Sequence, residues 1–333
     1  MNALVTGGCG FFGSHLTEAL VRSGRNVTVL DNLSFGSKRN LRALSRERSN
    51  GQLRLIVGDC TNPSDVKRAL LDVDSVFHMA ACPEVRDGLR DPATSFRVNV
   101  YGTHVLLEQM RKSSAARIVF PSTSSVYGEA KLMPTPEDYS PLQPISLYGA
   151  TKLAAEALIS SYAHTYARRA LILRFANIVG ARAIHGVTVD FIRRLQRNPS
   201  ELKILGDGTQ SKSYIHISDC TNAVLNALEL NGRLIEVYNV GSEDQVTVLK
   251  IARIVVEEMG LGKVSVVFSK GSNGGGWVGD VKNMHLDITK LRSKGWAPHY
   301  CSEDAVRLAT RELAGAIRSV SADNIRTHNS PGT

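Results

Sequence analysis

No apolar run approaches the roughly 18 residues that a membrane-spanning helix needs, so no membrane span is expected. Cysteine is scarce: the five present (Cys9, Cys60, Cys82, Cys220 and Cys301) are odd in number, widely spaced and without metal-ligand spacing. A disulfide framework and a metal site are therefore not expected; free thiols in a reducing cytoplasm are, with Cys9 partly exposed and sensitive to thiol reagents. No internal repeat is present. The first strand-like run begins at residue 2, which leaves no room for a signal or transit peptide, and a cytoplasmic location is expected. Acidic residues are in deficit, giving a net charge of +9, but the basic excess is scattered. Its one cluster, Arg193, Arg194 and Arg197, reads as a solvated helix face. Without a nucleic-acid motif or interleaved aromatics, nucleic acid is not an expected partner, whereas a positive field suits an anionic nucleotide.

Glycine, by contrast, is concentrated at the start. Residues 2–6 read as a short buried strand, Gly7-Gly-Cys-Gly10-Phe-Phe-Gly13 follows, and Leu16, Ala19, Leu20 and Val21 then mark a helix stopped by Gly24. Strand, glycine turn and helix in that order form a dinucleotide site: glycines admit the backbone close to a pyrophosphate, and the helix N-terminus offers free N–H groups and a positive dipole end. The second strand, Val27–Leu30, ends in Asp31, about 20 residues beyond the glycines. A carboxylate there accepts from both ribose hydroxyls of NAD and repels a 2′-phosphate; Lys38 and Arg39 nearby favour NADP, but Asp31 sits directly at the strand end and carries more weight.

Tyr148-Gly-Ala-Thr-Lys152 places a phenol and an ammonium at i and i+4, on one helix face. A lysine so placed is expected to favour phenolate. Moving a tyrosine pKa from about 10 toward 7 takes roughly 4 kcal/mol and makes a base usable at neutral pH.

Strand-like runs at 2–6, 27–30, 53–57, 74–78, 116–121 and 170–175 alternate with helical patterns at 12–23, 63–71, 93–112 and 147–168. That alternation predicts a doubly wound parallel sheet with ligands at the carboxyl ends of its strands. Beyond residue 176 helices at 188–197, 218–230, 247–259 and 303–318 are separated by glycine-rich loops, the pattern of a smaller C-terminal α/β substrate-binding lobe over 177–318. Residues 319–333 are polar and are expected to be a disordered tail.

On these residues the chain resembles the extended short-chain dehydrogenase/reductase family, and within it the UDP-glucose/UDP-galactose 4-epimerases. Thr6–Leu16 is similar to the family's opening motif with Cys9 as a departure, Asp31–Gly36 to its adenosine-ribose loop, Gly58-Asp-Cys60 to its adenine contact, and His78-Met-Ala-Ala81 to the segment passing the nicotinamide. Pro121–Gly128, Arg174-Phe-Ala-Asn177 and Gly206–His216 match further blocks. The resemblance implies a Rossmann-type fold over 1–176 and NAD held by Gly7, Gly10, Phe11, Phe12, Gly13, Asp31, Asn32, Leu33, Ser34, Gly36, Asp59, Cys60, Met79, Ala80, Ala81, Asn99 and Ala176, together with Tyr148 and Lys152. It implies a sugar diphosphate held by Arg86, Thr123, Ser124, Ser125, Tyr148, Asn177, Val187, Phe191 and Lys212. It also implies a homodimer paired through the helices at 93–112 and 147–168.

By the same resemblance Thr123 bonds the sugar O4 and relays its proton to Tyr148, while Tyr127 is structural. Dehydratases of the family carry an Asp-Glu pair after that position and decarboxylases a Glu. Ser124 and Ser125 stand here instead, and neither can act as an acid or base near neutral pH. The expectation is transient oxidation at C4 of a nucleotide-linked hexose and re-reduction on the other face. The alternatives are an N-acetylhexosamine or glucuronate epimerase and a net keto-sugar reductase. Lys212 occupies an arginine position, keeping the charge but losing the bidentate fork. Trp277 and its glycines occupy the neighbourhood of a second arginine, leaving Arg86, Arg182 or Lys282 to compensate. Ile184, where glucuronate binders carry an arginine, argues for an uncharged hexose. Val187 and Phe191 are placed beside the base, or equally in the core of an amphipathic helix.

Overall fold

The computed structural model describes residues 1–44, 51–83, 91–230, 233–269 and 276–328, with side chains described up to residue 316. Its centre is a seven-stranded parallel sheet. The strands in chain order are β1 (Asn2–Thr6), β2 (Asn26–Asp31), β3 (Leu53–Val57), β4 (Ser75–His78), β5 (Arg117–Thr123), β6 (Arg169–Phe175), β7 (Asn177–Val179), β8 (Glu201–Leu205), β9 (Ser211–Lys212), β10 (Tyr214–His216), β11 (Ile235–Val240), β12 (Val246–Thr247), β13 (Ser265–Ser269) and β14 (Asn283–Met284). The large sheet runs β11-β6-β5-β4-β1-β2-β3. β1 and β4 are adjacent but not consecutive, so the strand order reverses between them and a crevice opens at their carboxyl ends.

The helices are α1 (Phe11–Arg22), α2 (Pro63–Ala69), α3 (Pro92–Phe96), α4 (Gly102–Met110), α5 (Leu147–Tyr166), α6 (Val187–Arg197), α7 (Ile217–Leu228), α8 (Val248–Glu258), α9 (Thr289–Arg292) and α10 (Ser302–His328). The single helix expected at 93–112 is α3 and α4 joined by a wide π turn, Arg97–Tyr101. Two apolar layers enclose the sheet. One packs Leu16, Leu20 and Val21 of α1 and Cys220, Ala223 and Val224 of α7. The other packs Leu106 and Met110 of α4 and Ala155 and Ile159 of α5. A third core, around Phe191, Ile192, Leu202, Ile251 and Val306, belongs to α6, α8, α10 and β8.

The chain does not divide at 176/177 as expected. α7 packs on α1, and β11 pairs in register with β6 from Ile235–Ala170 to Val240–Phe175, so residues 217–240 return to the large sheet. The lobe is assembled from what precedes and follows that return. Of the expected tail 319–333, the backbone is described as helical through His328, and 329–333 lie outside the described residues. After Gly315 no glycine or proline interrupts the chain until Pro331, so nothing in the backbone stops the helix earlier.

Candidate active site

The glycine turn is fixed by its own packing. Gly7 has φ +67, and a Cβ there would lie 2.7 Å from the backbone of Ala80, so β1 and β4 meet closely at the reversal point. A Cβ on Gly13 would fall 2.1 Å from the carbonyl oxygen of Gly7. At Gly10 a Cβ would meet only that same oxygen, at 3.2 Å. Gly10 is also the N-cap of α1 and gives it no side-chain cap, which leaves first-turn N–H groups for a ligand. This open cradle fits a pyrophosphate.

Behind it, His78 anchors the carboxyl end of β4, bonding the Thr6 hydroxyl at 2.8 Å and the Thr103 hydroxyl at 3.0 Å. Full burial, with Lys152 adding to it, pushes His78 down to about 3, so it stays a neutral peg. Asp31 ends β2 buried, accepting from the backbone N–H of Cys9 (2.8 Å) and of Leu33 (2.7 Å) while facing the cavity. Cys9 itself is fully buried, and burial with the nearby Asp31 charge pushes its thiol up to about 12, so the expected exposure to thiol reagents is not met.

A cleft of about 480 Å³ runs from Asp31 to Lys212. Of the residues expected to bind the cofactor, Gly7, Gly10, Phe11, Phe12, Gly13, Asp31, Asn32, Ser34, Gly36, Cys60, Met79, Ala80, Ala81 and Ala176 line it, and Thr123, Ser125, Tyr148, Lys152, Asn177, Val187, Phe191 and Lys212 line it as well. Others stand behind its wall. Leu33 packs against the α1-side core. Asp59 holds Thr61 and Asn32, those hydrogen bonds outweighing its burial and keeping its carboxyl below the usual range. Ser124 is buried in the turn after β5. Asn99 accepts from Cys82 N–H at 2.7 Å and donates to Thr151 at 3.0 Å, tying the π turn to α5 without reaching the cleft. Arg86 lies outside the described residues.

The three groups expected to be catalytic come from two elements. Ser146 caps α5 by accepting from Gly149 N–H at 3.1 Å, which starts the helix just before Tyr148. The Thr123 hydroxyl, at the end of β5, accepts from Ser125 N–H and donates to the Ser125 hydroxyl, both at 3.1 Å. Lys152 is buried with its Nζ 3.9 Å from the centre of the Phe120 ring. The expected acidified phenol is not built into the protein alone. Burial drives Tyr148 up to about 12, and burial drives Lys152 down to about 7, opposed by Glu156 one turn further on. In a dry pocket the neutral form of each group is favoured, and this outweighs the i,i+4 attraction. Arg174 is a peg as well. It grips Glu156 with bonds of 2.8–3.3 Å and donates to Tyr127 Oη at 3.0 Å, which itself donates to Asn239, so Tyr127 is structural.

The far half of the cleft is less charged than the sequence suggests. Lys212 Nζ lies 2.5 Å from Asp280, Arg182 pairs with Glu18, and Lys282 is half-buried beside Asp207; neither of the latter two lines the cleft. Asn177 Nδ2 is turned to the Ser213 carbonyl. Phe191 both lines the cleft and packs in the lobe core, uniting its two expected roles. Trp277, which stands near an arginine position of the family, lines it too, as do residues not singled out for the site: Ser122 and Gln210, each with a buried side-chain atom lacking a partner, Asp280, and Leu313 of α10. Gln210 lay within a recognised motif; Leu313 is one apolar position among many on a helix, and nothing in its sequence context marks it.

Comparison with known proteins agrees with this geometry. A putative UDP-glucose 4-epimerase of Methanocaldococcus jannaschii is 33% identical over 310 residues, covering 91% of this chain and 95% of its own. Among solved structures, a UDP-galactose 4-epimerase superimposes with a TM-score of 0.83 at 40% identity, over 95% of this chain and all (100%) of that one. A UDP-glucuronic acid 4-epimerase from Bacillus cereus, in complex with UDP-glucuronic acid and NAD, does so with a TM-score of 0.85 at 30% identity, with coverage of 95% and 100%. The family model of the NAD dependent epimerase/dehydratase family matches residues 3–241, and with the glycine cradle, Asp31 and the Tyr148–Lys152 pair facing one cleft, this chain belongs to that family and takes NAD as its cofactor.

Proposed function

We propose that this protein epimerises C4 of a UDP-linked hexose, interconverting UDP-glucose and UDP-galactose, with NAD retained through the cycle. The observation that carries the reading is the meeting of Thr123, Tyr148 and Lys152 in the cleft beside the glycine cradle, with serines in place of the acids that dehydration or decarboxylation needs. Bound NAD supplies a reversible hydride acceptor and a positive ring charge. Tyr148 takes the proton of the C4 hydroxyl, and its high resting pKa means that it becomes a base only when cationic charge accumulates around it. Lys152 contributes that charge in its ammonium form, and burial against Phe120 keeps water from screening it. Thr123 orients the sugar oxygen, with Ser125 holding its hydroxyl in place. The 4-keto sugar then turns about its diphosphate and offers the other face, and the proton returns from Tyr148. A roomy far half with few fixed charges suits a site that must hold both epimers.

The absence of an arginine at Ile184 supports an uncharged hexose over a glucuronate. The outward faces of α3, the π turn and α5 leave Phe96, Tyr101 and Tyr166 exposed, which supports pairing of two copies through those helices. Proton NMR of purified protein with UDP-glucose, UDP-galactose, UDP-GlcNAc and UDP-glucuronate, without added cofactor, tests the reading. Interconversion of the first two is expected, and strict dependence on added NADPH would overturn it. Tyr148→Phe is expected to lose at least about 10³ in turnover while keeping bound NAD.

A further inference from the structure

The segment Gly276–Asp280 is tied to both ends of the substrate half. Asp280 N–H closes a turn onto the Trp277 carbonyl at 3.1 Å, and Gly279 within it has φ +89. The Asp280 carboxylate holds Lys212 at 2.5 Å through one oxygen and Gly276 N–H at 3.3 Å through the other. On its opposite side the turn rests on the start of the catalytic helix. A Cβ at Gly279 would lie 3.0 Å from the Ile145 carbonyl, 3.4 Å from the six-membered ring of Trp277 and 3.5 Å from the Ser146 side chain. The indole therefore lines the cleft between Lys212 and the helix turn that carries Tyr148, where the sugar of a nucleotide-linked substrate must pass to reach the phenol.

We propose that Trp277 is the wall on which the hexopyranosyl ring of the substrate packs, and that this contact fixes the sugar end where a diphosphate-gripping cation would otherwise do so. Lys212 is already shared with Asp280, and Arg194, also on the cleft, donates to the Lys203 carbonyl, so Coulombic grip on the diphosphate is modest. An indole face covers the apolar C–H face of a pyranose without specifying the direction of its hydroxyls. That is what a site accepting both C4 epimers requires, since a fixed hydrogen bond at C4 would favour one of them. The inference rests on the proposed nucleotide-sugar reading.

The chain has two tryptophans, and the other, Trp296, is buried at 5% exposure, so Trp277 reports on the cleft and Trp296 on the fold. Purified protein is titrated with UDP-glucose and, separately, with UDP under selective tryptophan excitation. A change in emission that is larger with UDP-glucose, and that vanishes in Trp277→Phe while Trp296 emission persists, is expected. Trp277→Ala is expected to raise KM for the UDP-hexose about three- to tenfold, with a smaller change in the inhibition constant of UDP. Trp277→Arg should tighten UDP and steepen the salt dependence of its binding relative to the parent. Equal responses to UDP and UDP-glucose, with equal weakening of both in Trp277→Ala, would place the indole on the nucleotide and overturn the proposal. So would an active parent whose emission ignores both ligands. A parent that responds to UDP-glucose yet interconverts no hexose would overturn the epimerase reading and leave the stacking contact standing.

Discussion

The two halves of the cleft are built in opposite ways. The cofactor half comes from short, contiguous stretches at the carboxyl ends of adjacent strands: the turn after β1, the end of β2 and the segment after β4. Its contacts are backbone to backbone, so a single added carbon at Gly7 or Gly13 collides with main-chain atoms. The substrate half is gathered from β7, the start of α6, the Leu205–Tyr214 stretch, the Trp277 turn and α10, with Lys212 paired to Asp280 and Arg194 donating to the Lys203 carbonyl. Rigid backbone recognises the invariant part of the reaction, and a looser side-chain surface admits a sugar that must turn over.

The contrast can be broken at its stiffest point first. Gly13→Ala puts a methyl 2.1 Å from the Gly7 carbonyl, and no side-chain movement relieves that. The expected outcome is loss of bound NAD from the purified protein and a destabilisation of about 1–3 kcal/mol by denaturant unfolding. A variant with full NAD content would show the cradle to be softer than its packing implies.

Lys152→Met tests the buried centre between the halves. Lys152 has a folded pKa near 7, below its ordinary value of 10.5. The folded state therefore binds its proton less well than the unfolded chain. The resulting cost to stability is complete below pH 7 and fades as pH rises toward the unfolded value. Removing the ammonium should abolish turnover yet raise the melting temperature at pH 6, with the gain shrinking toward pH 10. A gain that grew with pH would contradict the burial of the charge.

In the substrate half the effects are expected to be smaller. Lys212→Met should raise KM for the UDP-hexose up to about tenfold, part of that reflecting the unpaired Asp280 left behind. The double variant Lys212→Met/Asp280→Leu should recover some of the lost affinity. If the double variant is worse than the single, Asp280 acts on the substrate directly.

Smallest of all, a thiol reagent added to the native protein should titrate Cys301 alone and leave activity intact. Cys9, Cys60, Cys82 and Cys220 are buried, and burial pushes the thiols of Cys9 and Cys60 up to about 12. Rapid inactivation through Cys9 would mean that the glycine turn opens in solution.

Where sequence reasoning succeeded, the controlling interactions were local. Gly7–Gly13, Asp31 and the i,i+4 spacing of Tyr148 and Lys152 need only a strand, a turn and a helix to acquire their geometry. It failed where one distant partner decided the outcome. Cys9 follows a glycine turn that looked open, yet Gly36 packs against its backbone and Asp31 accepts its N–H. β11 was not foreseen because Ile235–Val240 is a short segment interrupted by Glu236 and Asn239 in a stretch that read as irregular, and only pairing with β6 makes it part of the sheet.

The sequence by itself determined the parallel α/β architecture, the dinucleotide cradle and the helical pairing of Tyr148 with Lys152, because periodicity, glycine placement and helical spacing are properties of neighbouring residues; Thr123 came only from the family resemblance. Tertiary structure alone decided the charge state and the company those residues keep. Burial raises Tyr148 and lowers Lys152, Asp280 takes up the charge of Lys212, and Trp277 is brought to the helix that carries the phenol. Desolvation and pairing depend on what lies across the fold, and no spacing along the chain encodes that.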